Sequence, residues 1–437
     1  MPSPPRYDAG SPTAADGPDR EGSATVATAN LEQTRRVSPF GWYAALRDAL
    51  SRPLTSYYLL LGASALLLTI GLIMVLSASS VYSFEQHDGD SYAIVKRQLL
   101  WVAIGLPCAW VASRLPYQAI RQISWVAIIV SVVLLALTAK MGVIVNGNKN
   151  WLAVGPFQIQ PSEIAKLAIV LWAAHVYAQK ERRLGSLHQV VVPVVPVLLG
   201  ITLLVIVGKD LGTALVLFAI LLALLWVVGA PARLFTLALS VIGVAAVWLA
   251  TTSAERRERL TNFVDPFKDY YEAGWQPAHG LFALSSGGVF GEGIGASTQK
   301  WGDLPEAHTD FIFAVLGEEL GLVGTLLVVV LFLTIAYAAI KVATQTDDPF
   351  VRYMSFGIVA WLIGQMIVNV GMVLALLPVI GIPLPLISYG GSSLLPTLVA
   401  LGLLIGFARR EPEAARALQQ RRRQRSAGLS ASGSARS

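Results

Sequence analysis

From residue 57 to residue 407 the sequence is a succession of apolar runs separated by short polar connections. Most runs are about twenty residues long, which at ~1.5 Å of helical rise per residue matches the ~30 Å hydrocarbon core of a bilayer. Backbone amides inside lipid must be paired within the chain, so such runs fold as helices. Overall, 54% of residues are hydrophobic and 14% charged, against roughly 45–50% and 25% in soluble domains. A soluble globular protein is excluded. The prediction is an all-α polytopic membrane protein with about ten transmembrane helices.

The runs fall at 57–77, 98–111, 123–138, 162–178, 190–207, 211–228, 234–250, 310–340, 353–374 and 392–407. Short loops on one side hold Arg47, Arg52, Arg114, Arg121, Lys180, Arg182, Arg183, Arg233, Lys341 and Arg352. By the positive-inside rule that side is cytoplasmic and both termini lie there. The opposite side takes one large extracellular loop, 251–309, between spans seven and eight. Its Arg256, Arg257 and Arg259 run against the charge bias, as long loops do.

Three regions follow. Residues 1–52 read as a disordered cytoplasmic tail, rich in Pro, Ser, Gly and Ala, ending in a short interfacial helix with Phe40, Tyr43, Leu46 and Leu50 on one face. Residues 53–408 form the membrane domain, and residues 409–437 a basic cytoplasmic tail. The net charge of +6 is concentrated in that tail and in the short loops, which points to membrane orientation and away from nucleic acid. The single cysteine, Cys108, excludes an intramolecular disulfide.

Chemistry concentrates at the extracellular side. The large loop carries the glycine-rich stretch 285–295 and then Leu304-Pro305-Glu306-Ala307-His308-Thr309-Asp310-Phe311. Asp310 stands where the loop enters the eighth span. It reads both as a helix N-cap and as a carboxylate able to take a proton from a substrate hydroxyl. Glu318 and Glu319 follow in the same span, where a buried carboxylate needs a cavity or a partner cation. Gly317 and Gly321 have the spacing of a helix-contact patch. Glu163, Lys166 and Asp210 read either as a structural network of buried charges or as the lining of a polar cavity. The prolines of 378–385 make the connection before the last span re-entrant.

In their order and length these motifs resemble the SEDS family (shape, elongation, division and sporulation) over essentially all of 57–407. The strongest matches are 304–321 and 381–393, supported by 160–166, 210–213 and Arg256 with Arg259. Glu306-Ala307-His308-Thr309-Asp310 resembles the family's cell-division branch more than its elongation branch. Two positions depart from the family pattern: Asn150 precedes Trp151 where Arg is common, and Lys209 precedes Asp210 where Pro is common.

The resemblance implies a peptidoglycan glycosyltransferase of the bacterial plasma membrane, active at its outer face and at the division septum. It would polymerise lipid II, and the family's essential carboxylate falls on Asp310. Arg256 and Arg259, followed by Lys166 and Lys300, are the candidates to steady the pyrophosphate leaving group. Glu163, Asp210, Glu306, His308, Ser388 and Gly390 complete the expected substrate cavity. No cofactor is required by the pattern, though a divalent cation, Mg or Mn, could share the pyrophosphate's charge. The implied partners are a class B penicillin-binding protein transpeptidase, other divisome membrane proteins and cytoplasmic partners of the tails. An elongation-type glycosyltransferase and a lipid II flippase are the alternatives.

Overall fold

The computed structural model describes residues 50, 52–145, 148–155, 157–251, 266–268, 270–271, 274–417 and 420. Residues 1–52 and 53–437 are separate units, and the architecture below is that of the second. The sequence expectations for the tail 1–49, for Arg256, Arg257 and Arg259, and for 421–437 lie outside the described residues.

Each expected apolar run lies on helix. The elements are α1 (Thr55–Gln86), α2 (Ala93–Arg114), α3 (Tyr117–Met141), α4 (Pro161–Lys180), α5 (Leu187–Val191), α6 (Val194–Val207), α7 (Leu211–Val227), α8 (Ala232–Thr251), α9 (Trp275–Ser286), α10 (Ile312–Gln345), α11 (Pro349–Val373) and α12 (Gly391–Arg410). Among the described residues seven helical segments are long and apolar enough to cross a membrane: α1, α2, α3, α5 with α6, α10, α11 and α12. α4 and α11 are buried on nearly all sides at the centre of the packing. α1, α2 and α3 keep large apolar side chains such as Leu66, Trp110 and Ile129 exposed, which suits contact with lipid tails.

The connections sort by end. At one end Arg121 pairs with Asp348 at 2.7 Å, Arg352 with Glu181 at 2.5 Å, and Arg409 donates to the Ser113 carbonyl at 3.3 Å. These are the basic short loops of the sequence. The opposite end gathers the segments before α4, α7, α10 and α12, where the candidate residues lie.

Two features depart from the expectation. The connection from α3 to α4 is not plain loop. It holds a three-stranded antiparallel sheet of β1 (Val143–Val145), β2 (Asn148–Val154) and β3 (Phe157–Ile159), in the order β1-β2-β3. Val145 pairs with Asn148, and the sequence between them, Asn-Gly, is a strong short-range hairpin signal.

The second is a break in α10. Gly321 adopts φ 66° and ψ −165°, so the helix is interrupted there. An unbroken helix would pair the Leu322 and Val323 amides with the Glu318 and Glu319 carbonyls. Instead, Leu322 and Val323 donate to the carbonyls of Gly288 and Val289, and Glu292 and Gly293 donate to those of Glu318 and Glu319. The glycine-rich loop is thus wedged into the gap and satisfies all four groups, as irregular backbone at membrane depth requires. A Cβ on Gly291 would lie 2.2 Å from the Glu319 carbonyl oxygen. Gly317 and Gly321 therefore seat this loop and are not a contact patch between two spans.

Candidate active site

The loop before α10 is shaped by a turn at Glu306, whose φ is +56°. Its carbonyl accepts from the amides of Thr309 and Phe311, both at 3.1 Å, and Thr309 Oγ1 donates to its carboxylate at 2.5 Å. α10 begins at Ile312, with Phe311 in the N-cap position and no side-chain cap. Asp310 is therefore not the cap the sequence suggests; the tight turn carries it clear of the helix start.

Three successive carbonyls of this loop are held by the segment around α11 and the start of α12. The Tyr389 amide donates to the His308 carbonyl at 3.0 Å. Ser388 Oγ donates to that of Thr309 at 2.6 Å, and Asn369 Nδ2 to that of Asp310 at 2.8 Å. The Asp310 carboxylate faces the re-entrant loop, where a Cβ on Gly381 would lie 3.2 Å from Oδ2. Gly381 is also at φ +69°, so any other residue there would be strained as well as crowding the carboxylate.

Among the described residues the Asp310 carboxylate has no hydrogen bond or ion pair. It keeps some accessible surface, yet loss of hydration is the chief influence on it. Burial, followed by the negative charges of Glu306, Asp210 and Glu163, pushes its pKa up to about 7 from the ordinary 3.8. A carboxyl in that range is half ionised near neutrality, the condition under which a general base works best. His308 is flanked by the rings of Tyr82 and Tyr389, with centroids at 5.1 and 5.7 Å. Burial lowers its pKa, so it is neutral at pH 7 and offers no cation.

The remaining candidates divide into cavity and framework. Asp210 caps α7: Oδ1 accepts from the Thr213 amide at 3.0 Å, and Oδ2 from Thr213 Oγ1, Ser162 Oγ and Gln160 Nε2 at 2.9, 3.0 and 2.8 Å. Lys209 is exposed and, among the described residues, forms no ion pair with it. Glu163 and Lys166 pair at 2.7 Å, and Lys166 also donates to Gln365 Oε1 at 2.9 Å. With two of its three N–H groups used and only 1% of its surface exposed, Lys166 belongs to the buried network, which is the structural reading of that cluster. Ser388 is a backbone clamp, and the Gly390 amide donates to Gln98 Oε1 at 3.3 Å.

Lys300 departs most from its expected role. Its ammonium donates to Glu319 Oε1 at 2.9 Å, Ser77 Oγ at 2.9 Å and the Gly295 carbonyl at 2.7 Å, so all three N–H groups are used. It lines a cleft of about 600 Å³ between α1 and residues 294–301 and is no free contact for a pyrophosphate. Glu318 accepts from Ser297 Oγ, the Thr298 amide and Thr298 Oγ1. The side chains of both glutamates of α10 hold the segment 297–300 that follows the glycine-rich loop. Lys149 donates to the Ala139 and Lys140 carbonyls, so the charge beside Asn150 caps α3.

Sequence reasoning missed the polar stripe of α11. Trp361, Gln365 and Asn369 are spaced four apart, in the middle of an apolar run, which puts them on one helix face. All three are buried. Trp361 Nε1 donates to Gln365 Oε1, and Gln365 Nε2 to the Pro383 carbonyl of the re-entrant loop. An amide repeated at that spacing inside a span is the signal that could have found them. Among the described residues no three His, Cys, Asp or Glu side chains come together to hold a metal.

The sequence profile of the FtsW/RodA/SpoVE family of cell cycle proteins matches residues 57–412. The chain is 40% identical over 372 residues to a probable peptidoglycan glycosyltransferase FtsW of Mycobacterium tuberculosis, covering 85% of this chain and 71% of the relative. It is 37% identical over 347 residues to stage V sporulation protein E of Bacillus subtilis, covering 79% and 94%. Among solved structures it is similar to a chain of a peptidoglycan synthase complex, with a TM-score of 0.66, 28% identity and coverage of 81% and 97%. It is also similar to the rod shape determining protein RodA of Thermus thermophilus, with a TM-score of 0.59, 26% identity and coverage of 81% and 97%.

Proposed function

The chain belongs to the FtsW/RodA/SpoVE family of cell cycle proteins, and on that premise we propose that it polymerises lipid II into glycan strands, with Asp310 as general base. It is a multi-pass membrane protein and a peptidoglycan glycosyltransferase. In the reaction, Asp310 takes the proton from the 4-hydroxyl of an acceptor N-acetylglucosamine. That oxygen forms a bond to the anomeric carbon of lipid-linked N-acetylmuramic acid. The bond from that carbon to the phosphate oxygen breaks, and undecaprenyl pyrophosphate leaves with the electron pair. A single displacement inverts the configuration at the anomeric carbon.

The observation that carries this reading is the state of Asp310: unpaired among the described residues, facing a glycine, with a pKa of about 7. A base must be ionised to accept a proton yet basic enough to hold it, and this value meets both demands. The site is also acidic. Glu163, Asp210 and Glu306 raise the Asp310 pKa, and Lys166 is already bound within the network. A polyanionic leaving group therefore needs cations from elsewhere, which favours Arg256 and Arg259 over Lys166 and Lys300. A divalent cation, Mg or Mn, sharing the pyrophosphate's charge belongs to the same proposal.

The basic end of the helices is assigned to the cytoplasm and the Asp310 end to the outer face, by the distribution of Lys and Arg. A role in division at the septum is favoured by the motif 306–310 and by relatives called FtsW at 35–40% identity. The similarity to a chain of a peptidoglycan synthase complex supports a class B penicillin-binding protein as partner; other divisome proteins and cytoplasmic ligands of the tails belong to the same proposal. The test is polymerisation of lipid II by the purified chain with its transpeptidase. Wild type should yield glycan strands, and Asp310→Ala should yield none while remaining folded. Normal polymerisation by that variant would remove the catalytic assignment. Translocation of labelled lipid II across vesicles by both forms, without polymer, would make the protein a flippase.

A further inference from the structure

We infer that Asn369 is a positioning residue for Asp310, fixing the main chain beneath the carboxylate by a two-pronged hydrogen bond from the centre of α11. Its Nδ2 donates to the Asp310 carbonyl at 2.8 Å and to the Ile382 carbonyl at 2.7 Å. One amide thus joins the loop that carries the base to the re-entrant loop that faces it. Ile382 adjoins Gly381, the residue in front of the Asp310 carboxylate. The two prongs therefore set the spacing between the base and the wall opposite.

The orientation of the amide follows from its surroundings. Turned over, it would aim Oδ1 at two carbonyl oxygens at hydrogen-bond distance, which repel it, so Nδ2 must face them. The side chain has no exposure to solvent, and in this orientation Oδ1 is buried with no partner. A leucine of similar volume would leave no such orphan. What the amide supplies and leucine cannot is two donors in one plane. Ser388 and Tyr389 hold the two preceding carbonyls, and among the described residues only Asn369 holds that of Asp310. Because misplacing a reacting group by ~1 Å costs on the order of a hundredfold in rate, this contact bears on turnover.

The inference rests on Asp310 being the general base, and the experiment separates the two. The full chain with its transpeptidase is assayed on lipid II as wild type, Asn369→Leu and a control, Thr325→Val, which removes a buried hydroxyl on α10 that donates to the Leu322 carbonyl. The carboxyl infrared band of Asp310, assigned by subtracting Asp310→Asn, is titrated in each. For Asn369→Leu the expectation is a kcat about 10- to 100-fold lower, a KM within about threefold of wild type, and a displaced titration midpoint. Thr325→Val should keep all three. Should Asn369→Leu fail to fold, Asn369→Ser, which keeps one hydroxyl donor, is read by the same criteria. Wild-type kcat with an unmoved midpoint overturns the inference, as does a raised KM at unchanged kcat or an equal loss in the control. If wild type itself makes no polymer, the glycosyltransferase reading fails, while the titration still decides whether Asn369 governs Asp310.

Discussion

Asp310 and the pair Glu318–Glu319 lie within ten residues of one another on one stretch of chain, yet they occupy opposite chemical situations. Glu318 accepts three hydrogen bonds, and Glu319 meets Lys300 and Ser77 with no exposure to solvent. These carboxylates are fixed acceptors for Ser297, Thr298, Lys300 and Ser77, beside the wedge that fills the broken helix. Asp310 has its main chain held just as firmly, but its carboxylate has no donor among the described residues. A framework carboxylate is tied down through at least one of its oxygens, although Glu319 Oε2 is left buried without a partner among the described residues, whereas a working base is fixed through its backbone and its carboxylate left free.

The comparison breaks most decisively at Asp310. Asp310→Ala should lower kcat for polymerisation by about a hundred- to ten-thousandfold, the range base removal costs, without lowering the temperature of thermal unfolding. Glu318→Gln keeps one acceptor oxygen and, where folded, should polymerise within about tenfold of wild type. Comparable activity losses in the two variants would erase the distinction.

The framework side is tested by stability. Lys300→Met leaves Glu319 buried and uncompensated, which for buried pairs costs on the order of 3–5 kcal/mol. Thermal unfolding in detergent should show a large drop. The double variant Lys300→Met, Glu319→Leu should recover most of it, because no lone charge remains. A double variant no more stable than the single one would mean that the loop, and not the ion pair, sets the cost.

A further test is the pH profile. Only ionised Asp310 can accept a proton, so kcat should rise with pH through about 7 and fall close to tenfold per unit well below it. The limb should persist in Glu318→Gln. A limb near 4 would place the governing carboxyl in an ordinary environment, as if Asp310 were solvated or paired.

Much of this was legible in the sequence. The apolar runs gave the helices because length and hydropathy suffice when the solvent is lipid. Asp310 was legible through its motif, though its proposed cap role was not realised. The turn at Glu306 sets its position, and a positive φ at a non-glycine residue leaves no compositional mark. Three things were hidden. Lys300 looked like a free cation because its acceptors come from α1, the glycine-rich loop and α10, far apart in sequence. Gly317 and Gly321 matched a contact motif, but the loop that fills the break contacts them only after the fold closes. The sheet between α3 and α4 was signalled by Asn146-Gly147 but overshadowed by the helical pattern around it.

The smallest expected effect separates the two regions in sign. Asp310 has a folded pKa of about 7 against an ordinary value of 3.8, so the native state binds its proton more tightly than the unfolded chain. Stability from this group is therefore greatest below about 4, declines as pH rises toward 7, and stays reduced above that. Asp310→Asn removes the penalty and should stabilise the protein at pH 8 by roughly 1–3 kcal/mol, while giving little at pH 4. Glu319→Gln should destabilise it at pH 8, because Lys300 loses its counter-charge in a buried site. Unfolding curves of both variants at the two pH values provide the measurement. A base kept unpaired for turnover predicts a gain from its neutralisation, whereas a carboxylate kept for structure predicts a loss, and matching signs would mean that Asp310 too belongs to the framework.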